Sequence, residues 1–261
     1  MTAIPETVRA QSLPAAAPDI DRRGRWGLLV QPGVVVLGVL LFLVWRLTAH
    51  LSETELRTLG WAPLRDSVLG HLWLTLAAGL IVLVVAIPLG VMLTRPRLRR
   101  LSGPVLLLAN TGQAAPAIGL IVLLAAWLGF GFGTAVLALV LYAMLPVLRN
   151  TVVGITAVNP ALVEAGRGMG MSATSVLFKV ELPLAVPVIL AGVRTALVLL
   201  VGTASLAVFV NGGGLGILIT TGIALYLSSL LISGAVLVAL LALFVDWVGR
   251  VVEQLARPRG L

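Results

Sequence analysis

The stretch VLGHLWLTLAAGLIVLVVAIPLGVMLT, residues 68–94, decides the fold of this chain. No Asp, Glu, Lys or Arg interrupts it, and it exceeds the about 20 apolar residues that cross a bilayer. The composition agrees, because 59% of the 261 residues are apolar and 11% are charged, whereas soluble domains are about a quarter charged. The sequence therefore predicts an all-α, polytopic membrane protein and excludes a soluble enzyme.

Further apolar stretches on either side of residues 68–94 bring the prediction to about six transmembrane helices. We place them at residues 27–47, 68–94, 101–128, 134–148, 184–210 and 230–251. The first is too long for the apolar part of a signal peptide, so it is assigned as a membrane anchor. The predicted domains are a disordered cytoplasmic tail (1–25), an N-terminal anchor with an outer loop (26–64), a transmembrane core (65–251) and a cytoplasmic C-terminal tail (252–261).

The basic residues predict the orientation in the membrane. Fourteen of the 18 Lys and Arg fall in the N-terminal tail, the 95–100 stretch, the 149–183 segment and the C-terminal end. Three others, Arg46, Arg57 and Arg65, fall on the opposite side. Because cytoplasmic loops carry the excess of Lys and Arg, both termini are predicted to be cytoplasmic. The net charge of +8 thus reflects membrane topology, with lipid as the surroundings and no nucleic acid as a partner.

The long polar segment 149–183 is predicted to fold as two short helices on the cytoplasmic side. Asn159 is a helix cap and Pro160 suits the first helical position, while Gly168 and Gly170 end that helix. Ser172 is a second cap, for a short helix through Val180, before the fifth transmembrane helix. Such a pair suits a groove on a partner protein. The alternative, a helix lying on lipid, usually carries more cationic residues.

The same segment carries a family resemblance. Glu164-Ala165-Gly166, then Gly170, then Val180-Glu181-Leu182-Pro183 resemble the EAA loop, Glu-Ala-Ala-x3-Gly-x9-Ile-x-Leu-Pro, of bacterial ATP-binding-cassette importer permeases. Gly166 replaces the second Ala and Val180 replaces the Ile. A wider resemblance, which includes Ala109–Pro116, Lys179–Ala196 and Gly213–Gly216, is to the osmoprotectant permeases for glycine betaine, carnitine and choline. It covers roughly residues 65–250.

The resemblance implies the fold of a type I importer transmembrane domain that works by alternating access. It implies pairing with a second permease copy or a paralogue, two cytoplasmic ATPase subunits, and an extracytoplasmic substrate-binding protein. ATP is then bound by the partner ATPase, so that this chain needs no cofactor. The implied ATPase-coupling residues are Glu164, Ala165, Gly166, Gly170, Val180, Leu182 and Pro183.

Polar residues inside the apolar segments are the candidates for a translocation pathway or gate. They are Asn110, Gln113, Pro116, Arg194 and Asn211. Arg194 is too deep to reach the interface comfortably and would repel a cationic substrate, so we expect it to have a structural partner within the protein. Asn110 and Gln113 fit interhelical hydrogen bonds equally well. Asn211 precedes Gly212–Gly216, which we interpret as a tight outer turn.

Residues for chemistry are sparse. The chain has no Cys, and its two histidines, His50 and His71, are predicted to be interfacial with no third ligand nearby. No catalytic triad or carboxylate pair is recognisable, so an enzyme is not expected. Two alternatives remain open at this point. A secondary transporter would show an internal repeat and a carboxylate at mid-membrane, and neither is recognised; a membrane scaffold would make the EAA-like loop a coincidence.

Overall fold

The computed structural model describes the backbone of residues 20–256 and the side chains from Leu29 to Ala256. Within that range the chain forms helices, turns and short connections, with no strand. Most of the predicted N-terminal tail, residues 1–19, and residues 257–261 lie outside the described residues. Helix α1 already begins at Ile20 and the last helix runs to Ala256, so both helices extend into the predicted tails.

The described residues form eleven α-helices. They are α1 (Ile20–Thr48), α2 (Glu53–Thr58), α3 (Trp61–Leu93), α4 (Ser102–Ala114), α5 (Ala117–Leu128), α6 (Phe132–Thr156), α7 (Pro160–Gly168), α8 (Ala173–Val176), α9 (Leu182–Ala204), α10 (Gly216–Ala224) and α11 (Ser228–Ala256). Two 3-10 turns, Arg99–Leu101 and Ser205–Val210, and one π-turn, Leu177–Glu181, join them.

Five helices are long and apolar enough to cross a membrane, and a sixth if one bent pair counts as a single crossing. The five are α1 from Leu29, α3, α6, the continuous run Ala173–Val210, and α11. The prediction of about six transmembrane helices is therefore confirmed. The segment 215–229 contains only the nine-residue α10, which is too short to cross.

The predicted third transmembrane helix, 101–128, is not straight. Its two halves, α4 and α5, meet at an angle of 97°. The break falls at Ala115, whose ψ of 143° is extended, and Pro116, which begins the next helix. A residue before proline is pushed out of the helical region, and proline itself has no N–H to continue the hydrogen-bond ladder.

The predicted loop 149–183 is shorter than expected, since α6 continues to Thr156 and a new helix begins at Ala173. We call residues 157–172 the connecting loop. We call the end of the bundle that carries the connecting loop the loop end. The opposite end, which carries the turn Gly212–Gly216, is the glycine end.

The core lies where α3, α6 and α9 pack together. Its buried side chains include Leu74, Val82, Leu139, Leu148 and Leu200. Glycines let the helices approach closely. A Cβ on Gly192 of α9 would lie 2.5 Å from the Asn150 Cβ and 2.7 Å from the Pro146 carbonyl oxygen of α6. These helices therefore pack backbone against side chain, as is common between membrane helices.

Helix α1 packs against α11 along one side and exposes most of its other residues. Phe42 is buried beside Leu230, and a Cβ on Gly38 would lie 2.5 Å from a methyl group of Leu240. Near the glycine end, the Arg46 Nε donates to the Leu59 carbonyl oxygen at 2.7 Å and its guanidinium lies over Trp61. The predicted anchor is thus attached to the core at both ends.

Candidate functional site

The connecting loop begins with α7, whose ends are fixed by local hydrogen bonds. The Asn159 side chain accepts from the Ala161 N–H at 2.9 Å, and Pro160 follows at the first helical position, as predicted. At the other end Gly170 has a φ of +83°. Its N–H donates to the Arg167 carbonyl at 2.9 Å, and the Met171 N–H donates to the Gly166 carbonyl at 3.2 Å. This pair of bonds is a Schellman motif, which needs a left-handed residue after the helix.

Gly166 is the contact point between α7 and the following helix. A Cβ placed on it would lie 3.4 Å from the Met171 Sδ and 3.4 Å from a methyl of Val176, with Val180 at 3.8 Å. These are ordinary van der Waals distances. The site therefore has room for the Ala that the EAA motif carries at this position.

The outer surface of the connecting loop and of the helix after it exposes three large apolar side chains and one acid, beside the exposed cations Arg167 and Lys179. Met169 is 77% exposed, Phe178 64% and Leu162 47%, while Glu164 and Ala165 are also exposed. We call Leu162, Glu164, Met169 and Phe178 the loop knob. The sequence argument named only Glu164 among them. Large apolar residues in an otherwise polar segment are the signal that could have found the other three.

The second predicted short helix is continuous with the transmembrane helix that follows it. The Ser172 hydroxyl caps its start by accepting from the Ser175 N–H at 3.2 Å. The helix then passes through the π-turn, in which the Leu182 N–H reaches the Leu177 carbonyl, and on to Val210. Pro183 does not end it, because the widened turn lies just where the missing proline N–H would leave a gap. Leu182-Pro183 marks the start of α9, as predicted; the difference is that the π-turn joins α9 to the preceding short helix without a break.

An ion pair joins the base of this helix to the end of α3. The Arg95 Nη2 lies 2.6 Å from the Glu181 Oε2, and the Glu181 side chain is only 11% exposed. Arg95 also donates to the Thr94 hydroxyl at 2.9 Å. From the sequence, Arg95 is predicted only to mark the orientation in the membrane, and Glu181 has no predicted role. The signal that could have indicated the ion pair is the acid next to Leu182-Pro183.

The bent helix pair places the next predicted candidates at one corner. Asn110 and Pro116 are exposed and Gln113 is half-buried. Gly112 allows α4 to approach α6, because a Cβ there would lie 3.3 Å from the Leu141 carbonyl oxygen. The three polar or helix-breaking residues therefore surround the 97° bend on an exposed surface.

Arg194 has the structural partner that its depth required. Its Nη1 lies 3.1 Å from the Glu253 Oε2, and its Nε lies 3.4 Å from the Asp246 Oδ1. Both acids are on α11. Asp246 lies within the predicted sixth transmembrane helix, and the sequence argument did not single it out.

The turn at the glycine end is held in a strained backbone. Asn211 is exposed with a φ of +60°, and Gly213 and Gly214 also have positive φ. Asn tolerates this region better than other non-glycine residues. Gly212 is buried against Ala135 and Ala207, where a Cβ would lie within 2.9 Å of either side chain. The segment 211–214 is thus a turn that packs against α6 and against the end of the continuous helix Ala173–Val210.

His71 is buried in the protein, so its predicted interfacial position was wrong. The Leu215 N–H donates to the His71 Nδ1 at 3.2 Å, which leaves Nε2 to donate to the Val201 carbonyl at 2.9 Å. One imidazole therefore links α3, the long helix and the glycine turn. It is a neutral ring, since a protonated Nδ1 could not accept the Leu215 bond.

These features define a multi-pass transport subunit: a bundle of apolar helices, one of them broken, with a capped two-helix loop projecting at one end. Known proteins agree with this class. The chain belongs to the family of binding-protein-dependent transport system inner membrane components, which it matches over residues 86–258.

Relatives with narrower descriptions are similar over most of the chain. The glycine betaine/carnitine/choline transport system permease protein OpuCB of Bacillus subtilis (strain 168) is 42% identical over 191 residues, 73% of this chain and 87% of that protein. The osmoprotectant import permease protein OsmW of Salmonella typhimurium is 38% identical over 196 residues, 73% of this chain and 90% of that one.

A solved structure confirms the fold. The permease chain of the MetNI methionine ABC transporter, in an inward-facing conformation, superposes with a TM-score of 0.67 at 25% identity and covers 80% of this chain and 100% of its own. The predicted type I importer transmembrane fold is therefore confirmed.

Proposed function

We propose that this chain is the membrane-spanning subunit of an ATP-driven importer for an osmoprotectant such as glycine betaine, choline or carnitine. It works by alternating access and performs no chemical step itself, because a separate cytoplasmic ATPase binds and hydrolyses ATP. The substrate class is supported by relatives at 36–42% identity whose names specify these compounds.

The loop knob is the observation that carries the coupling to an ATPase. Its apolar side chains are exposed at the end of the bundle, on α7, on the residue after it and on the π-turn, and both ends of α7 are fixed by hydrogen bonds. Exposed apolar side chains around one carboxylate fit a groove that supplies a cation. Glu164 would then form one charge-assisted hydrogen bond, worth about 1.5–3 kcal/mol.

The excess of basic residues at the loop end supports the orientation. Lys179, Arg95 and Arg167 all belong to that end, so the connecting loop and both termini face the cytoplasm in this proposal. Two ATPase subunits then bind below a pair of permeases. The glycine turn faces outward, where a substrate-binding protein delivers its ligand.

The exposed corner at the 97° bend supports a role for Asn110, Gln113 and Pro116 in the pathway between two paired permeases. Broken helices in transporters expose polar backbone and side chains towards a water-filled path. Asn211 directly follows the continuous helix Ala173–Val210 at the glycine end, and we propose that it lies at the outer gate.

Co-purification tests the coupling proposal. The chain is expressed with the ATPase and isolated by its own tag, and Glu164→Ala is expected to lower ATPase recovery. Glu53→Ala is the matched control, because Glu53 is also an exposed acid but lies at the glycine end. Failure of the unaltered chain to bring down any ATPase would contradict the proposal and favour a secondary transporter or a scaffold.

Uptake tests the substrate class. Cells with and without the chain are given labelled glycine betaine, choline and carnitine, and accumulation of at least one of them is expected to need the chain. Uptake should stop when ATP is depleted and continue when an ionophore collapses the proton gradient at constant ATP. The reverse dependence would contradict an ATP-driven importer.

A further inference from the structure

A cluster of charged residues joins α9 to the last turns of α11, towards the loop end of the bundle. Asp246, Gly249, Arg250 and Glu253 recur at a spacing of three or four and so share one face of α11. Arg194 of α9 bridges the two acids at 3.4 and 3.1 Å, and the Arg250 Nη2 lies 2.9 Å from Asp246. We call Arg194, Asp246, Arg250 and Glu253 the α9–α11 cluster.

Three of the four side chains in the cluster are mostly shielded. The cluster contains two cations and two anions, and the exposed fraction is 31% for the Arg194 side chain, 20% for Asp246, 13% for Glu253 and 44% for Arg250. Removing Arg194 takes the bridging cation away from two acids in poorly solvated positions, which is costly in a membrane. The ion pairs therefore add to the apolar packing that already joins the two helices.

Gly249 makes the arrangement possible. A Cβ there would lie 2.8 Å from the Arg194 Cγ and 3.3 Å from its Cβ. The aliphatic part of Arg194 thus crosses α11 directly over this glycine, between the two acids. The third helix of the assembly is α1, where the Gln31 Nε2 donates to the Asp246 Oδ2 and the Leu243 carbonyl, both at 2.9 Å.

On the opposite side of Arg194 the contacts have a different character. A groove of about 330 Å³ separates α3 from α9 and α11, and apart from Thr75 and Arg194 it is lined by apolar residues and Gly249. Apolar surfaces can shift past one another without leaving a charge unpaired. Along this groove α3 therefore contributes no charge that holds the α9–α11 pair, and the polar links between α3 and the continuous helix Ala173–Val210 lie on either side of it, at Arg95–Glu181 and at His71–Val201.

We propose that the α9–α11 cluster makes α9, α11 and α1 move as one unit during transport, with Arg194 as a positioning residue. This inference rests on the proposed function, since it assumes that the connecting loop receives the force of the ATPase. The loop leads directly into the helix that carries Arg194. Helix α11 has no such loop within the described residues, and its ion pairs and packing contacts with α9 connect it to that movement.

A disulfide replaces the ion pairs with a covalent link. The Cβ separation of 3.3 Å between positions 194 and 249 is close to the about 3.8 Å of disulfides, and the chain has no other Cys. Arg194→Cys alone is expected to lower the maximal uptake rate at least about tenfold, with KM unchanged. The double variant Arg194→Cys/Gly249→Cys should be equally impaired when reduced and regain uptake when oxidised. A fully oxidised double variant that remains inactive would overturn the proposal.

A charge exchange tests the same point without oxidation. Arg194→Glu and Glu253→Arg are each expected to lose uptake. Because a carboxylate at position 194 would also face Asp246, the two substitutions are combined with Asp246→Asn, and this combination should recover uptake since the ion pair between α9 and α11 is restored with its sign reversed. Normal uptake by either single variant, or a combined variant that is inserted but inactive, would overturn the proposal. ATPase recovery is measured in each preparation. If all variants, and the unaltered chain, bring down no ATPase, the proposed function fails; if recovery is normal, the result concerns the cluster alone.

Discussion

Replacing Gly170 by Leu isolates the contribution of one backbone conformation. Gly170 has a φ of +83°, and no atom lies within 4 Å of where its Cβ would be. The substitution therefore adds no clash, and its cost is that of a left-handed conformation, about 1–2 kcal/mol for an ordinary residue. Because about 1.4 kcal/mol is a factor of ten, the native turn becomes roughly 5 to 30 times less favoured.

The matched control is Gly168→Leu. Gly168 also has open space at its Cβ position, but its φ is not positive. The same side chain is thus added two residues earlier without strain. Gly170→Asn should fall between the two, since Asn tolerates the left-handed region.

The assay compares uptake, membrane insertion, permease pairing and ATPase recovery for all three variants. Gly170→Leu is expected to be inserted and paired but to lose transport, because the loop knob is no longer held in one orientation. Gly168→Leu is expected to transport nearly normally. Normal uptake and ATPase association by Gly170→Leu would refute the coupling role of the loop, and equal damage by Gly168→Leu would refute the conformational explanation.

Four further predictions follow from single residues. Glu181→Gln removes the charge that pairs with Arg95 at 2.6 Å. Thermal denaturation should show that the free energy of unfolding falls by about 2 kcal/mol, and an unchanged midpoint would contradict a stabilising role for this largely buried ion pair. Gly166→Ala should raise the free energy of unfolding by up to about 1 kcal/mol, and with it the thermal midpoint, while uptake is unchanged, because the new methyl fits. A lower midpoint would show that the site is too tight. The thiol of Lys179→Cys should react with impermeant reagents only from the cytoplasmic side, and labelling of this thiol in intact cells would contradict the proposed topology. Tyr226 is 93% exposed, so a photoreactive group there should cross-link to the binding protein; reactivity only from the cytoplasm would exclude an outer position.

The sequence predicts this fold well where the signal is local. Apolar length locates the membrane helices, Asn159 and Ser172 mark helix starts, and Gly170 marks a helix end, because each acts on its own backbone within a few residues. Leu182-Pro183 likewise marks the start of α9. The π-turn that joins α9 to the preceding short helix was not predicted, because no local pattern announces such a turn.

Contacts between distant residues were harder to predict. His71 occurs at the end of an apolar stretch, where an interfacial position is the ordinary expectation, yet its partners Val201 and Leu215 lie 130 and 144 residues away. Arg95 and Glu181 are likewise 86 residues apart. A single sequence shows that Arg194 needs a partner, and the packing of α9 on α11 decides which acids provide it.

The continuous helix from Ala173 to Val210 has the proportions of a balanced lever. Its 38 residues span roughly 57 Å, well beyond the about 30 Å of a bilayer core. Its close approach to α6, at Gly192 against Asn150 and Pro146, lies almost at its midpoint and is the point about which it would tilt. With arms of nearly equal length, a tilt about that point moves the two ends by equal distances in opposite directions, so that a shift of a few ångströms at the connecting loop is returned, undiminished and reversed, at the glycine turn.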